Sequence, residues 1–303
     1  MTSLMPTSVL RRLLSAAYGL PVLVGTFALL AGVQARADIR VQPQPFGGPT
    51  INQAGTGYDF SFNASFEPDG QRIYFSRATK DLSKITVFGA DKTADGWSEA
   101  WPLPLGKEGS RDTDPHVSAD GRLLYFTSDR ALPGEAAKPG EFHLWAARRN
   151  GVRWGAPAPV DGDLGSAVYP ATTLNGDLYF TRLQGSGSVI YHAVMKAGQA
   201  TDVVPSNIQG AAAGRDEAAS RDGHVFVFVA PDGGGKAVFM ALHDKAGWHP
   251  TEKLALGDGF SNPAALGLSP DGRTLYFTAS QGKGTPQLFS AALPIDQTGG
   301  TAG

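Results

Sequence analysis

The chain has 303 residues and a formal net charge of -2, and 18% of its residues are charged. It contains no cysteine, which excludes disulfides, thiol chemistry and cysteine-ligated metals. No block of like charge is present, so the sequence offers no footprint for nucleic acid or for an anionic membrane surface. Glycine and proline are frequent, at 39 and 21 residues, which is typical of an all-β protein with many short strands and turns.

Residues 1–37 have the pattern of a cleavable export signal. An arginine pair precedes a largely apolar run over 13–31, and 35–37 read as a small-x-small cleavage site. We therefore expect cleavage after Ala37 and a mature chain in the periplasm or outside the cell. An uncleaved membrane anchor is the alternative, and the arginine pair leaves Sec and twin-arginine export both open. No later apolar run approaches the length of a membrane span.

A segment built around an Asp-Gly or Asn-Gly turn and an aromatic strand recurs five times along the rest of the chain. The glycines of these turns are spaced 51, 55, 47 and 49 residues apart. A near-constant period of this size indicates a repeat architecture. The five turn glycines are Gly70, Gly121, Gly176, Gly223 and Gly272.

Each repeat divides into four predicted strands. In the second repeat these are 115–118, 123–127, 142–148 and 152–160. The second of them is continuously apolar, as expected for a strand that is buried on both faces. Third strands follow in the other repeats at 85–89, 189–194, 237–242 and 287–292, and three fourth strands carry Trp97, Trp154 and Trp248. We expect these tryptophans to pack between neighbouring sheets.

Four-stranded units at this period predict a five-bladed β-propeller of antiparallel blades over 38–293. Six blades are the alternative, although no sixth copy of the repeat is found. The last repeat stops after its third strand, whereas the proline-containing segment 41–46 resembles the outer strands of other repeats. We therefore expect this N-terminal segment to close the last blade. Residues 294–303 are expected to form a flexible tail.

The sequence Ser-Pro-Asp-Gly-Arg-Thr-Leu-Tyr-Phe-Thr at 269–278 resembles the PD40, or WD40-like, repeat of TolB-type propellers. Residues 113–122 and 216–223 follow the same pattern, and the resemblance covers essentially all of the expected mature chain. It implies a propeller fold in which the Asp-Gly turns are structural. Such repeats occur in the TolB envelope protein, in oligopeptidase propellers and in some polysaccharide-degrading enzymes, so the resemblance implies no single activity. TolB itself resembles a six-bladed propeller with an additional N-terminal domain, and this sequence shows neither feature.

No catalytic or cofactor-binding motif is recognisable. The sequence lacks a Gly-x-Ser-x-Gly elbow, a His-Glu-x-x-His motif and a Walker loop, and we expect no cofactor and no metal. The six histidines do not pair at metal-ligand spacing. His116 stands apart because it lies in a first strand, and first strands line the channel of a propeller. A hydrogen-bonded channel histidine is the simpler interpretation, and a ligand or acid-base role is the alternative.

Polar residues are concentrated near the starts of the first strands, where we expect them to converge on one mouth of the channel. Carboxylates beside arginines can bind sugars or cations, or shift one another's pKa values for acid-base work. The simpler alternative is that they cap strand ends and form ion pairs with the nearby arginines. Counting back seven residues from each turn glycine gives Asn63, Asp114, Tyr169, Asp216 and Ala265. The candidate ligand-binding residues are Asp59, Asn63, Arg111, Asp112, Asp114, His116, Tyr169, Arg215, Asp216 and Glu217.

The sequence favours an exported, non-enzymatic propeller that binds a protein or another envelope component through its faces. Complete repeats without an appended catalytic domain support this hypothesis. The alternative is a carbohydrate-active hydrolase or lyase that uses the channel carboxylates, which requires a deep pocket with two carboxylates about 5–9.5 Å apart. A third hypothesis is a propeller that binds a sugar or another small molecule.

Overall fold

The computed structural model describes residues 38–52, 55, 57–106, 109–136 and 138–295. The expected export signal at 1–37 and residues 296–303 of the expected tail lie outside the described residues. The described part contains five sheets built from antiparallel meanders, the five-residue helix Gly48–Asn52 and the 3₁₀ turn Ala211–Ala213. The five-bladed β-propeller expected from the repeat period is therefore confirmed.

Each blade is a meander of three strands that is completed by an outer segment, which is a seven-residue strand in blade 3 and shorter in the others. Blade 1 contains Phe60–Phe66, Arg72–Ala78, Ile85–Thr93, Gly96–Trp97 and Trp101–Pro102; blade 2 contains Asp112–Val117, Leu123–Ser128, His143–Asn150, Arg153–Trp154 and Ala158–Pro159. Blade 3 contains Ala167–Thr172, Asp177–Gln184, Gly187–Lys196 and Gln199–Pro205; blade 4 contains Arg215–Ala219, Val225–Asp232, Gly235–Asp244, Gly247–Trp248 and Glu252–Ala255. Blade 5 contains Phe260–Leu268, Thr274–Gln281 and Gln287–Ala292.

The N-terminal segment closes the ring. Gln44–Pro45 pairs with the third strand of blade 5, with Gln44 opposite Ser290 and Pro45 opposite Phe289. The predicted closure of the last blade is thus confirmed. The sequence did not predict a second attachment, in which Ile39–Arg40 adds a parallel strand to the outer edge of blade 4. The segment therefore joins blades 4 and 5 before the first blade begins.

The outer strand of blade 2 differs from its prediction. It consists of two short pieces, Arg153–Trp154 and Ala158–Pro159, instead of one strand over 152–160. Pro157 lies between the pieces and has no N–H to donate to the sheet.

Aromatic side chains fill the space between blades. Phe75, Phe126, Phe180, Phe228 and Phe277 occupy the second strands of the five blades and are completely buried. This explains why those strands are continuously apolar.

The expected packing of the tryptophans between sheets is confirmed. Trp154 of blade 2 contacts Tyr74 of blade 1 at 5.9 Å between ring centroids. Trp248 of blade 4 contacts Tyr179 of blade 3 at 6.4 Å.

The propeller has two faces, a turn face and an entry face. The turn face carries the five turns at the predicted glycines. The entry face carries the loops that lead into the inner strands, together with the loops between the second and third strands. The inner strands run along the central channel from the entry face to the turn face.

Candidate functional site: the central channel

The five positions found by counting back from the turn glycines share one unusual backbone conformation. Their φ angles are positive and nearly equal: Asn63 55°, Asp114 51°, Tyr169 56°, Asp216 56° and Ala265 52°. In every blade the register of the inner strand shifts at this point. Positive φ is uncommon for residues other than glycine, and a register shift of this kind marks a β-bulge. The repeat therefore encodes a bulge at the same level of the channel in all five blades.

At three blade junctions, the N–H of the bulge residue donates to a side chain of the preceding blade. The N–H of Asp114 donates to Ser76 Oγ at 3.2 Å, and the N–H of Tyr169 donates to Thr127 Oγ1 at 3.3 Å. Val229 stands at the corresponding position of blade 4 and has no hydroxyl. Asp216 replaces the missing acceptor, since its Oδ1 accepts the N–H of Ala265 at 3.0 Å. Asp216 thus has a structural task in joining blades 4 and 5.

Three of the predicted site residues form one hydrogen-bonded group at this level. Arg215 donates through Nε to Asp216 Oδ2 at 2.9 Å and through Nη2 to the hydroxyl of Tyr169 at 2.6 Å. Asp114 is buried nearby, and burial together with the charge of Asp216 raises the pKa of Asp114 to about 7. Burial also raises the pKa of Tyr169 well above its usual value, and the two carboxylates add to that effect. Arg215 is thus held between the phenol of Tyr169 and the carboxylate of Asp216, with the buried Asp114 nearby.

Glu217 and His116 line the channel on the turn-face side of this group. Glu217 is buried; its Oε2 accepts from Thr181 Oγ1 at 2.6 Å, and its Oε1 has no partner among the described residues. Burial raises the pKa of Glu217 well above its usual value. His116 Nε2 accepts the N–H of Thr172 at 2.9 Å, which places the ring proton on Nδ1. Burial lowers the pKa of His116 to about 4.

The channel cavity itself is small. Its volume is about 50 Å³, and residues from all five blades line it, among them Ser65, His116, Thr172, Glu217 and Leu268. This space accommodates a few water molecules at most, since one water occupies about 30 Å³ in the liquid.

Arg221 lies across the turn-face end of the cavity. It extends from the turn of blade 4 and donates through Nε to the Ala119 carbonyl of blade 2 at 2.7 Å. It also donates through Nη1 to the Pro68 carbonyl of blade 1 at 3.3 Å. The channel is therefore nearly filled by protein atoms at this end.

Three predicted residues lie apart from this group. Asp59 is exposed, and its Oδ2 accepts the N–H of Lys80 at 2.7 Å. Arg111 forms an ion pair with Asp129 at 2.7 Å and stacks on the ring of Phe142.

Asp112, the third, is buried in an ion pair with Arg130 at 2.5 Å and also accepts from Ser128 at 2.7 Å. These contacts fix the start of the inner strand of blade 2. In the described part of the chain, no group of three or more His, Asp or Glu side chains is placed to hold a metal ion, and no helix is long and apolar enough to cross a membrane.

Arg221 is the channel residue that sequence reasoning missed. It directly precedes the turn residue Asp222, at a position where the other repeats have Pro68, Ala119, Leu174 and Pro270. The sequence did contain a signal for Arg221, because it is the one charged residue at a position that is small or apolar in the other four repeats. The blades that its guanidinium would contact lie 102 and 153 residues away in sequence.

The titrations of Asp114 and His116 are expected to oppose each other. The folded-state pKa of Asp114 is raised to about 7, so its contribution to stability is complete below its unfolded pKa and is lost as the pH rises towards 7. The folded-state pKa of His116 is lowered to about 4, so its contribution is complete above an unfolded pKa of 6.5 and is lost as the pH falls towards 4. Between those limits the two contributions have opposite slopes.

Urea unfolding of Asp114→Asn and His116→Asn across this range tests the expectation. The free energy of unfolding of Asp114→Asn minus that of the wild type should increase as the pH rises. The same difference for His116→Asn should decrease as the pH rises. Parallel profiles for the two variants would contradict the assigned protonation states.

The fold and its channel define a five-bladed β-propeller whose axial cavity is spanned by Arg221 at the turn face. No protein-family model matches the chain, and no curated protein matches it. Among solved structures, a protein of Agrobacterium tumefaciens assigned as TolB has a TM-score of 0.51 at 13% identity, covering 80% of this chain and 79% of that one. The α-L-arabinofuranosidase PaAbf62A from Podospora anserina, solved with cellotriose, has a TM-score of 0.52 at 12% identity, covering 84% and 96%. At these identities the likeness shows the fold alone.

Proposed function

We propose that the protein is an exported, non-enzymatic propeller that binds a protein or another envelope component through its faces. The observation that carries the proposal is the filled channel, whose cavity of about 50 Å³ is crossed by Arg221 at one end. Binding pockets for small molecules usually enclose about 300–1,000 Å³. A channel that holds only a few waters supports a role as a rigid core that presents surfaces.

The channel carboxylates also support this choice over a hydrolase. A glycosidase needs two carboxyls that face a substrate between them. Both oxygens of Asp216 are instead bonded to Ala265 and Arg215, and one oxygen of Glu217 is bonded to Thr181. The structural neighbours include a TolB assignment and an arabinofuranosidase, so fold alone favours neither class.

Export belongs to the same proposal. The signal pattern at 1–37 and the expected cleavage after Ala37 suit a protein that acts in the periplasm or outside the cell. N-terminal sequencing of the protein recovered from its native host tests the cleavage directly, and a chain that starts at Met1 would contradict it.

Capture from the native envelope tests the binding role. The C-terminally tagged full-length chain is expressed in its native host, crosslinked, purified and analysed by mass spectrometry. We expect one protein partner at a stoichiometric level, recovered equally with the wild type and with Asp114→Asn. Asparagine conserves the size of Asp114, so the variant should keep its fold.

The same two proteins are then incubated with a panel of oligosaccharides. Neither should release reducing sugar. Hydrolysis by the wild type that disappears in Asp114→Asn, at unchanged Tm, would replace the binding role with the carbohydrate-active alternative.

A further inference from the structure

A second cavity opens on the entry face between blades 3 and 4. Its volume is about 420 Å³, within the range of small-ligand sites. The loop Gln184–Ser188 of blade 3 forms one wall, and Arg215 with Lys236 of blade 4 forms the other. Ala212, Ala213 and Val229 contribute an apolar floor. We call this cavity the 3–4 cleft.

The charge in the 3–4 cleft has one sign. Two of the described residues that line it are cationic, Arg215 and Lys236, and none is acidic, although Arg215 shares its charge with its buried ion-pair partner Asp216. Lys236 is exposed and forms no ion pair within the described part of the chain. The carboxylate of Asp232, four residues away, is bonded to Lys253 at 2.9 Å. The positive charge of Lys236 is therefore available to a ligand.

Arg215 is held in a fixed orientation. Its Nε and Nη2 donate to Asp216 and Tyr169, yet its side chain is still 36% exposed. A guanidinium that is already ordered loses little conformational entropy when it binds an anion, and its planar donors match a carboxylate. Ser186 and Ser188 lie on the opposite wall and carry hydroxyls that can act as neutral donors.

We propose that the 3–4 cleft binds a carboxylate side chain from an acidic segment of the protein partner. This inference rests on the proposed function and assigns the partner's chemistry at one site. The two cations and the absence of acidic lining residues select an anion. The alanine and valine floor suits the aliphatic part of an acidic side chain, whereas none of the described lining residues offers an aromatic ring on which a sugar could stack.

A pair of short peptides tests the inference with the full-length protein. The probes are acetyl-Ala-Ala-Glu-Ala-amide and its glutamine analogue, titrated into ¹⁵N-labelled protein and followed by NMR. The glutamate peptide should shift resonances of 186–189, 212–215 and 236, and should bind about tenfold more tightly than the glutamine peptide. Equal affinities would overturn the proposal.

Charge variants locate the contact. Lys236→Gln should weaken the glutamate peptide about fivefold, since it removes one of the two cations. Lys283→Gln is the matched control, because it makes the same charge change in an exposed loop of blade 5 that does not line the cleft. If both variants weakened peptide binding equally, the effect would come from the net charge of the protein and not from the cleft. That result would overturn the proposed site. Binding of D-glucuronate that depends on Lys236, without binding of the peptide, would overturn the peptide assignment.

The envelope capture separates this inference from the proposed function. If the wild type and Lys236→Gln recover a partner equally, the assignment of the cleft is wrong, but the proposed binding of a protein partner stands. If neither protein recovers a partner but the peptide still binds in a Lys236-dependent way, the proposed binding of a protein partner is wrong. The cleft would then remain an anion site.

Discussion

Replacing Gly267 by alanine is expected to lower the free energy of unfolding by about 4 kcal/mol or more, at the upper end of single-substitution effects. Gly267 lies in the inner strand of blade 5, where a Cβ atom would stand 2.1 Å from the carbonyl oxygen of Ala64 in blade 1. The contact is with backbone, so no side-chain rotation can relieve it. Because blades 5 and 1 meet here, the added methyl would force apart the seam at which the ring closes.

Urea or thermal unfolding of Gly267→Ala measures the effect, and Gly235→Ala is the matched control. A Cβ at Gly235 would meet its nearest atom, the Asp232 carbonyl oxygen, at an ordinary 3.7 Å. The control should therefore stay within about 0.5 kcal/mol of the wild type. A Gly267→Ala protein with the same midpoint as this control would show that the blades are not in close contact at the seam.

The repeat period made the fold predictable from the sequence. Each turn glycine marks one blade, and the continuously apolar second strand follows from burial on both faces, as Phe126 and Phe180 illustrate. The period also located the bulge residues, because counting back from the glycines found all five positions. Their positive φ was not predictable, since Asn, Asp, Tyr and Ala share no side-chain property that would mark it.

The details of the channel depend on contacts between distant blades. Whether Asp216 would bind a ligand or hold the N–H of Ala265 depends on Val229, which lacks the hydroxyl found in the corresponding strands of blades 1 and 2. A local pattern contains no such information. Likewise, Asp112 and Asp114 are two residues apart, but the first pairs with Arg130 and the second is buried beside Asp216, because the bulge turns the strand between them.

Deletion of residues 38–46 is expected to abolish cooperative unfolding of the intact ring and to cause self-association. The deletion removes Ile39–Arg40 and Gln44–Pro45 and so exposes the edge of the strand Gln287–Ala292. Phe289, which is 2% exposed in the closed ring, would become accessible beside unpaired backbone groups. An exposed apolar edge strand is a template for pairing between molecules.

Asn52 is a single residue that reinforces the same closure. Its side-chain amide donates to the Phe46 carbonyl at 2.6 Å, and its Oδ1 accepts the N–H of Leu288 at 2.8 Å. Asn52→Ala leaves the N–H of the buried Leu288 without this acceptor, at a cost of about 1–3 kcal/mol. The substitution should therefore lower Tm while the protein stays monomeric, in contrast to the deletion.

Size-exclusion chromatography with light scattering and thermal unfolding distinguish the two variants. A synthetic peptide of residues 38–46, added to the deleted protein, should restore the monomer if that segment closes the ring non-covalently. Since only the backbone of Gln44 and Pro45 is needed for the pairing with Ser290 and Phe289, exchanging Gln44 for threonine in the peptide should preserve the rescue. A deleted protein that remains monomeric and unfolds at the wild-type Tm would show that blades 4 and 5 are held together without the N-terminal segment.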